Sequence, residues 1–133
     1  MLGFAEQVAA FAKKAEGLTT DLWHDTLRQL VEEMTTPKGA GGHLPVVTGN
    51  LRNSVAVSAR FRIEIDWKTK KFRNPADAVN NAIAGVELGE TAWVGFRAPY
   101  ARKVEAEHGF LRLAQQRWPQ IVDEVVRAKL SRL

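Results

Sequence analysis

The chain has 133 residues, of which 45% are apolar and 26% are charged, a composition typical of one globular domain over residues 1–133. It contains no cysteine, which excludes disulfide scaffolds, thiol catalysis and cysteine-ligated zinc, and its net charge of +4 permits an acidic partner without requiring one. No apolar stretch approaches the about twenty residues that cross a bilayer, and the first residues lack the pattern of a signal peptide, so we expect no membrane association.

Residues Phe4 to Met34 are predicted to form one long helix. Apolar residues recur in alternating steps of four and three from Phe4 to Leu22, and the same steps continue from Trp23 to Met34, displaced by one position. This slow drift is expected of a straight helix with 3.6 residues per turn. Two interpretations remain open: a helix buried in its own core, or one whose far end meets a neighbouring subunit.

A glycine-rich loop and a long alternating segment follow the helix. Residues 35–43 contain three glycines and a proline, which predicts a flexible loop. Over residues 55–65, apolar side chains alternate with polar or small ones. This pattern predicts a strand from about Ser54 to Asp66, packed on the long helix with Phe61 and Ile63 buried on the same face.

The remainder is predicted to be short helices around a second strand. Asn74 is a suitable N-cap for a helix that ends near Gly85, residues 91–96 favour a strand, and a helical turn begins at Pro99. A last helix is expected from about Gln115. We therefore predict an α+β fold, in which a long N-terminal helix and a C-terminal helix pack on a small, mainly antiparallel β-sheet.

The densest basic segment, residues 67–73, lies between the predicted strand and the Asn74 helix. It begins with Trp67, which is placed to stack on a base, and continues with four basic side chains: Lys68, Lys70, Lys71 and Arg73. One interpretation is a solvated linker, and the other is a partner-facing loop that contacts DNA or an acidic protein. A small basic nucleic-acid-binding module therefore remains an alternative function.

Few residues have the spacing that catalysis or metal binding requires. The three histidines share no helical i, i+4 spacing and no HExxH pattern, and no serine lies in a GxSxG turn. We therefore expect no metal, no cofactor and no enzymatic activity. A small enzyme that uses Glu105 or Glu107 as an acid or base is the remaining catalytic alternative.

Two segments resemble a known family. The sequence LPVVTGNLRNS at residues 44–54 resembles the P-V-D-T-G-x-L-R-x-S signature of small neck proteins of long-tailed bacteriophages and prophages, which are also called tail-completion or head–tail joining proteins. Residues 88–113 are similar to the family's G-[DE]-T, P-Y-A-x-x-[LV]-E and G-[MF]-[VL]-R-L motifs. The matching residues central to the first segment are Pro45, Thr48, Gly49, Leu51, Arg52 and Ser54, and those central to the second are Pro99, Tyr100, Ala101, Glu105 and Gly109.

The resemblance implies a virion structural protein. Such a protein forms a ring, expected to be hexameric, at the head–tail junction, where it completes the tail and joins it to the head. The implied partners are further copies of the chain, a tail terminator or tail-tube protein, a head-completion (stopper or connector) protein, and DNA that passes through the channel without sequence-specific contact. The implied location is the neck or tail of the virion, after synthesis in the bacterial host cytoplasm. A tail terminator ring protein is the nearest alternative.

The residue types in these motifs predict local structure without reference to the family. Thr48 is able to bond nearby backbone, and Gly49 is able to adopt a positive φ, so the chain turns sharply here. Leu51 then anchors the turn in the core. Arg52 is expected either to hold a carboxylate or to face a partner, and Tyr100 is expected to pack its ring and bond through its hydroxyl group.

Overall fold

The computed structural model describes residues 3–46 and 48–132 of the chain. Helix α1 runs without a break from Phe4 to Thr35, which confirms the prediction of one long helix. Its C-terminal half buries Leu27, Leu30 and Met34 in the core, as the periodicity of the sequence requires.

The N-terminal half of α1 lies outside the core. Every residue from 3 to 17 is exposed, although the apolar steps of the sequence run through this segment. We call residues 4–17 the arm. The interpretation of a helix buried in its own core therefore holds for the second half of α1. It does not hold for the first half.

The glycine-rich loop after α1 turns tightly back on itself. A single 3-10 turn spans Lys38–Ala40, and Pro37 and Leu44 form an isolated parallel bridge. A Cβ atom on Gly42 would overlap the carbonyl oxygen of Thr36, so only glycine fits at this crossing. The loop thereby delivers Leu44, which is fully buried, to the core.

A two-stranded antiparallel sheet forms beside the helices. Strand β1 spans Val55–Ser58 and pairs with β2, Trp93–Phe96, so that Val55 lies opposite Phe96 and Ser58 opposite Trp93. Strand β2 occupies the last four positions of its predicted range. The predicted strand from Ser54 to Asp66 is wrong beyond Ser58, since residues 59–75 form neither strand nor helix.

Hydrogen bonding explains why β1 ends early. The hydroxyl oxygen of Ser58 accepts the backbone N–H groups of Arg60, at 3.1 Å, and of Phe61, at 3.2 Å, which turns the chain away from the sheet. The predicted burial of Phe61 is wrong, because its side chain is 70% exposed. Ile63 is half-buried: a Cβ atom on Gly95 would lie 3.0 Å from the Cβ of Ile63.

Short helices complete the fold. They are α2 (Asn50–Asn53), α3 (Ala76–Ala84), α4 (Ala101–His108), α5 (Phe110–Gln116) and α6 (Trp118–Leu130). Helix α6 runs antiparallel along the second half of α1: Arg117, at its start, bonds Glu33 at 2.6 Å, and Lys129, near its end, lies 3.7 Å from Asp25. Pro119 lies in the first turn of α6, where a missing N–H group is tolerated.

One core joins these elements, and the predicted α+β class is confirmed. Phe96 on β2 meets Phe110 on α5 edge to face, with their ring centres 4.9 Å apart. Helices α3, α5 and α6 pack on α1, and α3 also packs on β1. No helix in the described part of the chain combines the length and the apolar character that crossing a bilayer demands.

The contrast between two phenylalanines tests this fold. Phe110 is 1% exposed, so Phe110→Ala is expected to lower the free energy of unfolding by about 3–5 kcal/mol. Phe61→Ala is expected to lower it by under about 1 kcal/mol, because that ring already lies in solvent. Urea melts of both variants are the measurement. Similar losses at the two positions would contradict the observed end of β1 at Ser58.

Candidate functional site

The first motif forms the turn that leads into α2 and β1. Gly49 has a φ of 80°, a conformation that costs other residues about 1–2 kcal/mol. The side-chain oxygen of Thr48 accepts the backbone N–H of Asn50 at 3.3 Å. Both expectations for this turn are confirmed.

The same motif has a buried side and an exposed side. Leu51 is buried as predicted, and the buried hydroxyl group of Ser54 donates a hydrogen bond to the carbonyl oxygen of Leu51 at 2.7 Å. Pro45 is half-buried. Arg52 is exposed, and none of the ion pairs within residues 3–46 and 48–132 involves it. Its guanidinium group is therefore available to a partner, which favours that expectation over an internal carboxylate contact.

The second motif builds a corner between α4 and α5. Pro99 and Tyr100 lead into α4, whose first residue, Ala101, is buried. The Glu105 carboxylate accepts the backbone N–H groups of Leu111, at 2.7 Å, and of Arg112, at 3.0 Å. Glu105 thus caps the start of α5, where a negative charge is stabilised by the helix dipole.

Gly109 makes this corner possible. It links α4 directly to α5 with a φ of 65°. A Cβ atom there would lie 2.8 Å from a guanidinium nitrogen of Arg112.

Glu107, the other carboxylate of the catalytic alternative, is exposed and lies 4.0 Å from His108. The contacts of Glu105 are therefore those of a structural cap.

The side chain of Asn50 links the two motifs. Its amide nitrogen donates to the Tyr100 hydroxyl group at 3.3 Å, and its amide oxygen accepts the backbone N–H of Phe72 at 2.7 Å. The Asn53 amide donates to the carbonyl oxygen of Phe72 at 3.3 Å. We call Asn50, Asn53, Phe72 and Tyr100 the Asn50 junction. It joins the first motif both to the second motif and to the end of the basic segment.

Sequence reasoning missed Asn50 and Asn53, although both lie within the first motif. The available signal was the residue type, since an amide side chain is both a donor and an acceptor and so is able to link two other segments. The hydroxyl bond expected of Tyr100 is confirmed. A cleft of about 450 Å³ opens at the junction, and its lining residues include Thr48, Lys70, Lys71 and Tyr100.

The basic segment is anchored at both ends. Phe72 is held at the Asn50 junction, and Asp66 holds the start, because its carboxylate accepts the N–H groups of Lys68 and Thr69, each at 2.9 Å, and the Thr69 hydroxyl group at 2.7 Å. These bonds, that of the Thr69 hydroxyl above all, lower the pKa of Asp66 to about 2, and the charge of Arg97 adds to the effect.

The side chains of the basic segment face solvent, apart from that of Phe72. Trp67 is 77% exposed, and Lys68, Lys70, Lys71 and Arg73 are exposed as well. None of these four basic groups takes part in an ion pair within the described part of the chain. The segment therefore presents unpaired positive charge from a backbone that hydrogen bonds hold in place.

The described residues contain no group of three histidine, aspartate or glutamate side chains that could hold a metal ion. His24 is half-buried on α1, with its Nε2 atom 2.7 Å from the carbonyl oxygen of Val86. No protein-family model, curated protein or solved structure matches the chain.

The lowered pKa of Asp66 makes a prediction about pH. Its contribution to stability is complete above about pH 4 and is lost as the pH falls towards 2, since protonation removes the charge that the Thr69 and Lys68 donors stabilise. Thr69→Ala is expected to raise the pKa of Asp66 towards 3.8, measured by NMR titration of the carboxyl carbon. Thr19→Ala, on α1, is the control. An Asp66 titration unchanged by Thr69→Ala would contradict this hydrogen bonding.

Proposed function

We propose that the chain is a neck protein of a long-tailed bacteriophage or prophage. It forms a ring, expected to contain six copies, that completes the tail and joins it to the head. The observation that carries the proposal is the bond between Asn50 and Tyr100, since it joins the two motifs on one exposed surface through residues that lie 50 positions apart in the chain. Both motifs resemble segments of the neck-protein family.

Some motif residues shape the backbone and another is exposed to solvent, which supports a role in binding a neighbouring protein. Leu51, Ser54, Glu105 and Gly109 shape the backbone, while Arg52 presents a free guanidinium group on the outer side of α2. A guanidinium group binds carboxylates through paired hydrogen bonds and so suits an acidic surface on a neighbouring protein. In a ring, each such contact is repeated by symmetry, so weak single contacts combine into stable attachment.

The proposed partners follow from the position in the neck. They are neighbouring copies of the chain within the ring, a tail terminator or tail-tube protein on one side, and a head-completion protein on the other. DNA passes through the centre. The protein is made in the host cytoplasm and resides in the virion, and its action requires binding without chemical turnover.

Deletion of the gene tests the proposal directly. The lysate is expected to contain DNA-filled heads and separate tails, because the joining ring is missing, and addition of the purified protein is expected to restore infectious particles. Electron microscopy and plaque counts are the measurements. Joined virions, or heads that never receive DNA, would contradict a neck role. Tails of uncontrolled length would indicate a tail terminator instead.

A matched pair of arginine variants sharpens this experiment. Arg52→Ala is expected to restore infectivity at least tenfold less well than the natural chain, while stability changes by under about 0.5 kcal/mol. Arg102→Ala, at an exposed position on α4, removes the same charge and is expected to restore infectivity fully. Equal activity of the two variants would show that Arg52 meets no partner.

A second candidate function, non-specific binding of single-stranded nucleic acid, has its own supporting observation. Trp67 exposes its ring within the basic segment. Exposed aromatic rings stack on bases, and unpaired lysines bind phosphates with a strong dependence on salt. This activity would also suit a surface that faces DNA in a channel.

Charge-matched triple variants test this second function. Replacing Lys68, Lys70 and Lys71 with serine is expected to lower the affinity for single-stranded DNA at least tenfold and to reduce the salt slope by about 2, because three phosphate contacts are lost. The control replaces three other lysines with serine: Lys13, Lys38 and Lys103. Fluorescence anisotropy at several salt concentrations is the measurement. Equal weakening in both variants would show that net charge alone attracts the DNA.

A further inference from the structure

The arm presents an apolar stripe that nothing in the described chain covers. Phe4, Val8, Phe11 and Ala15 follow one another at steps of four, three and four, and so lie along one side of the helix. Phe4 is 83% exposed and Phe11 is 73% exposed. Two bare phenylalanine rings on one uncharged stripe are typical of a protein contact surface. Lys13 lies on the opposite side of the same helix.

Helix α6 covers the continuation of this stripe and stops where the arm begins. Lys129, in the last turn of α6, lies 3.9 Å from Asp21 and 3.7 Å from Asp25 of α1. Leu18 and Leu22 are half-buried in this part of α1, and every residue from 17 back to 3 is exposed. Because α6 runs antiparallel to α1, one further antiparallel helix placed in line with α6 would cover the rest of the stripe.

We propose that the arm of a second copy of this chain fills that place. The two arms pair antiparallel about a two-fold axis near Ala9 and Ala10. Phe4 of one copy then lies opposite Ala15 of the other, and Val8 lies opposite Phe11. Large side chains face smaller ones in each layer, which is the complementarity that knobs-into-holes packing needs.

The end of α6 limits how far the second arm extends along α1. Sliding the second arm by one heptad would keep the steps of the stripe but would bring Phe4 opposite Leu22. That position lies beside Asp21 and Asp25, where the last turn of α6 is already bound. With Phe4 opposite Ala15, the second arm instead stops short of α6.

Charge and helix dipoles favour the same arrangement. The first turn of the arm carries Glu6, and the last turn of α6 carries Arg127 and Lys129. Placing the two ends in line points the positive end of one helix dipole at the negative end of the other, and it sets the acidic first turn of the arm in line with the basic last turn of α6.

The paired arms form a small interface. Residues 4–15 of each copy face one another, which is about 18 Å of helix at 1.5 Å per residue. So short a contact is expected to bind weakly. The dimer is therefore expected to dissociate in the micromolar range. The pairing involves only the arm and the end of α6, so it is independent of the neck proposal.

Sedimentation equilibrium of the purified full-length chain tests the pairing. A monomer–dimer equilibrium is expected, and Phe11→Glu is expected to raise the dissociation constant at least tenfold, because two buried charges approach Val8 of the other copy. Lys13→Glu is the control, since it changes charge on the opposite side of the arm, and it is expected to dimerise like the natural chain. Circular dichroism verifies that both variants remain folded. A chain that stays monomeric up to about 1 mM would overturn the proposal.

Cross-linking tests the direction of the pair, and the absence of native cysteines makes it unambiguous. An equal mixture of the Val8→Cys and Phe11→Cys variants is expected to form a disulfide-linked dimer under mild oxidation. Phe11→Cys alone is expected to cross-link far less, because residue 11 does not face itself in antiparallel arms. Efficient self-linking of Phe11→Cys would indicate parallel arms, and an oligomer larger than a dimer would indicate a head-to-tail contact. Either result would overturn the proposal.

Discussion

Burial of the second half of α1 is the interaction on which the rest of the structure depends. Leu27, Leu30, Val31 and Met34 form one face of this helix, and α3, α5 and α6 all pack against α1. The sheet has only two short strands, and a two-stranded sheet is at best marginally stable alone. It persists because the same core covers it: Val55 and Phe96 are buried within that core.

Ion pairs then set how α6 lies along α1. Arg117 stands between α5 and α6 and bonds both Glu33 and Glu124, which raises its pKa further above its ordinary value, with the Glu33 hydrogen bond as the largest cause. At the other end, Lys129 joins Asp21 and Asp25. Contacts at both ends hold α6 antiparallel alongside the second half of α1. Its end point in turn decides where the covered part of α1 stops and the arm starts.

The candidate site is built from turns, and its rigidity comes from side chains that bond backbone. Asn50 links Tyr100 to Phe72, Glu105 caps α5, and Asp66 holds the start of the basic segment. Each bond uses a polar side chain to satisfy or connect another segment. Arg52 and the basic side chains are thereby left without an ion-pair partner on ordered supports within the described part of the chain.

Local patterns in the sequence determined the elements whose causes are local. The steps of four and three predicted α1, and Gly49 and Thr48 predicted the turn before α2, because periodicity and positive φ are properties of neighbouring residues. The α+β class followed from the order of those elements. Even the excess length of the apolar stripe was visible, since a small domain has limited surface to cover it.

Only the tertiary structure decided which of the segments with such patterns pack against, or hydrogen-bond to, another part of the chain. Alternation beyond Ser58 predicted a strand, but β2 is only four residues long, so Phe61 turned into solvent. The stripe of the arm is as apolar as its continuation, yet α6 reaches only as far as Asp21. Asn50 became the junction because Tyr100 and Phe72 arrive beside it from distant parts of the chain. Burial and long-range hydrogen bonds depend on which distant residues the fold brings close. A local sequence pattern does not contain that information.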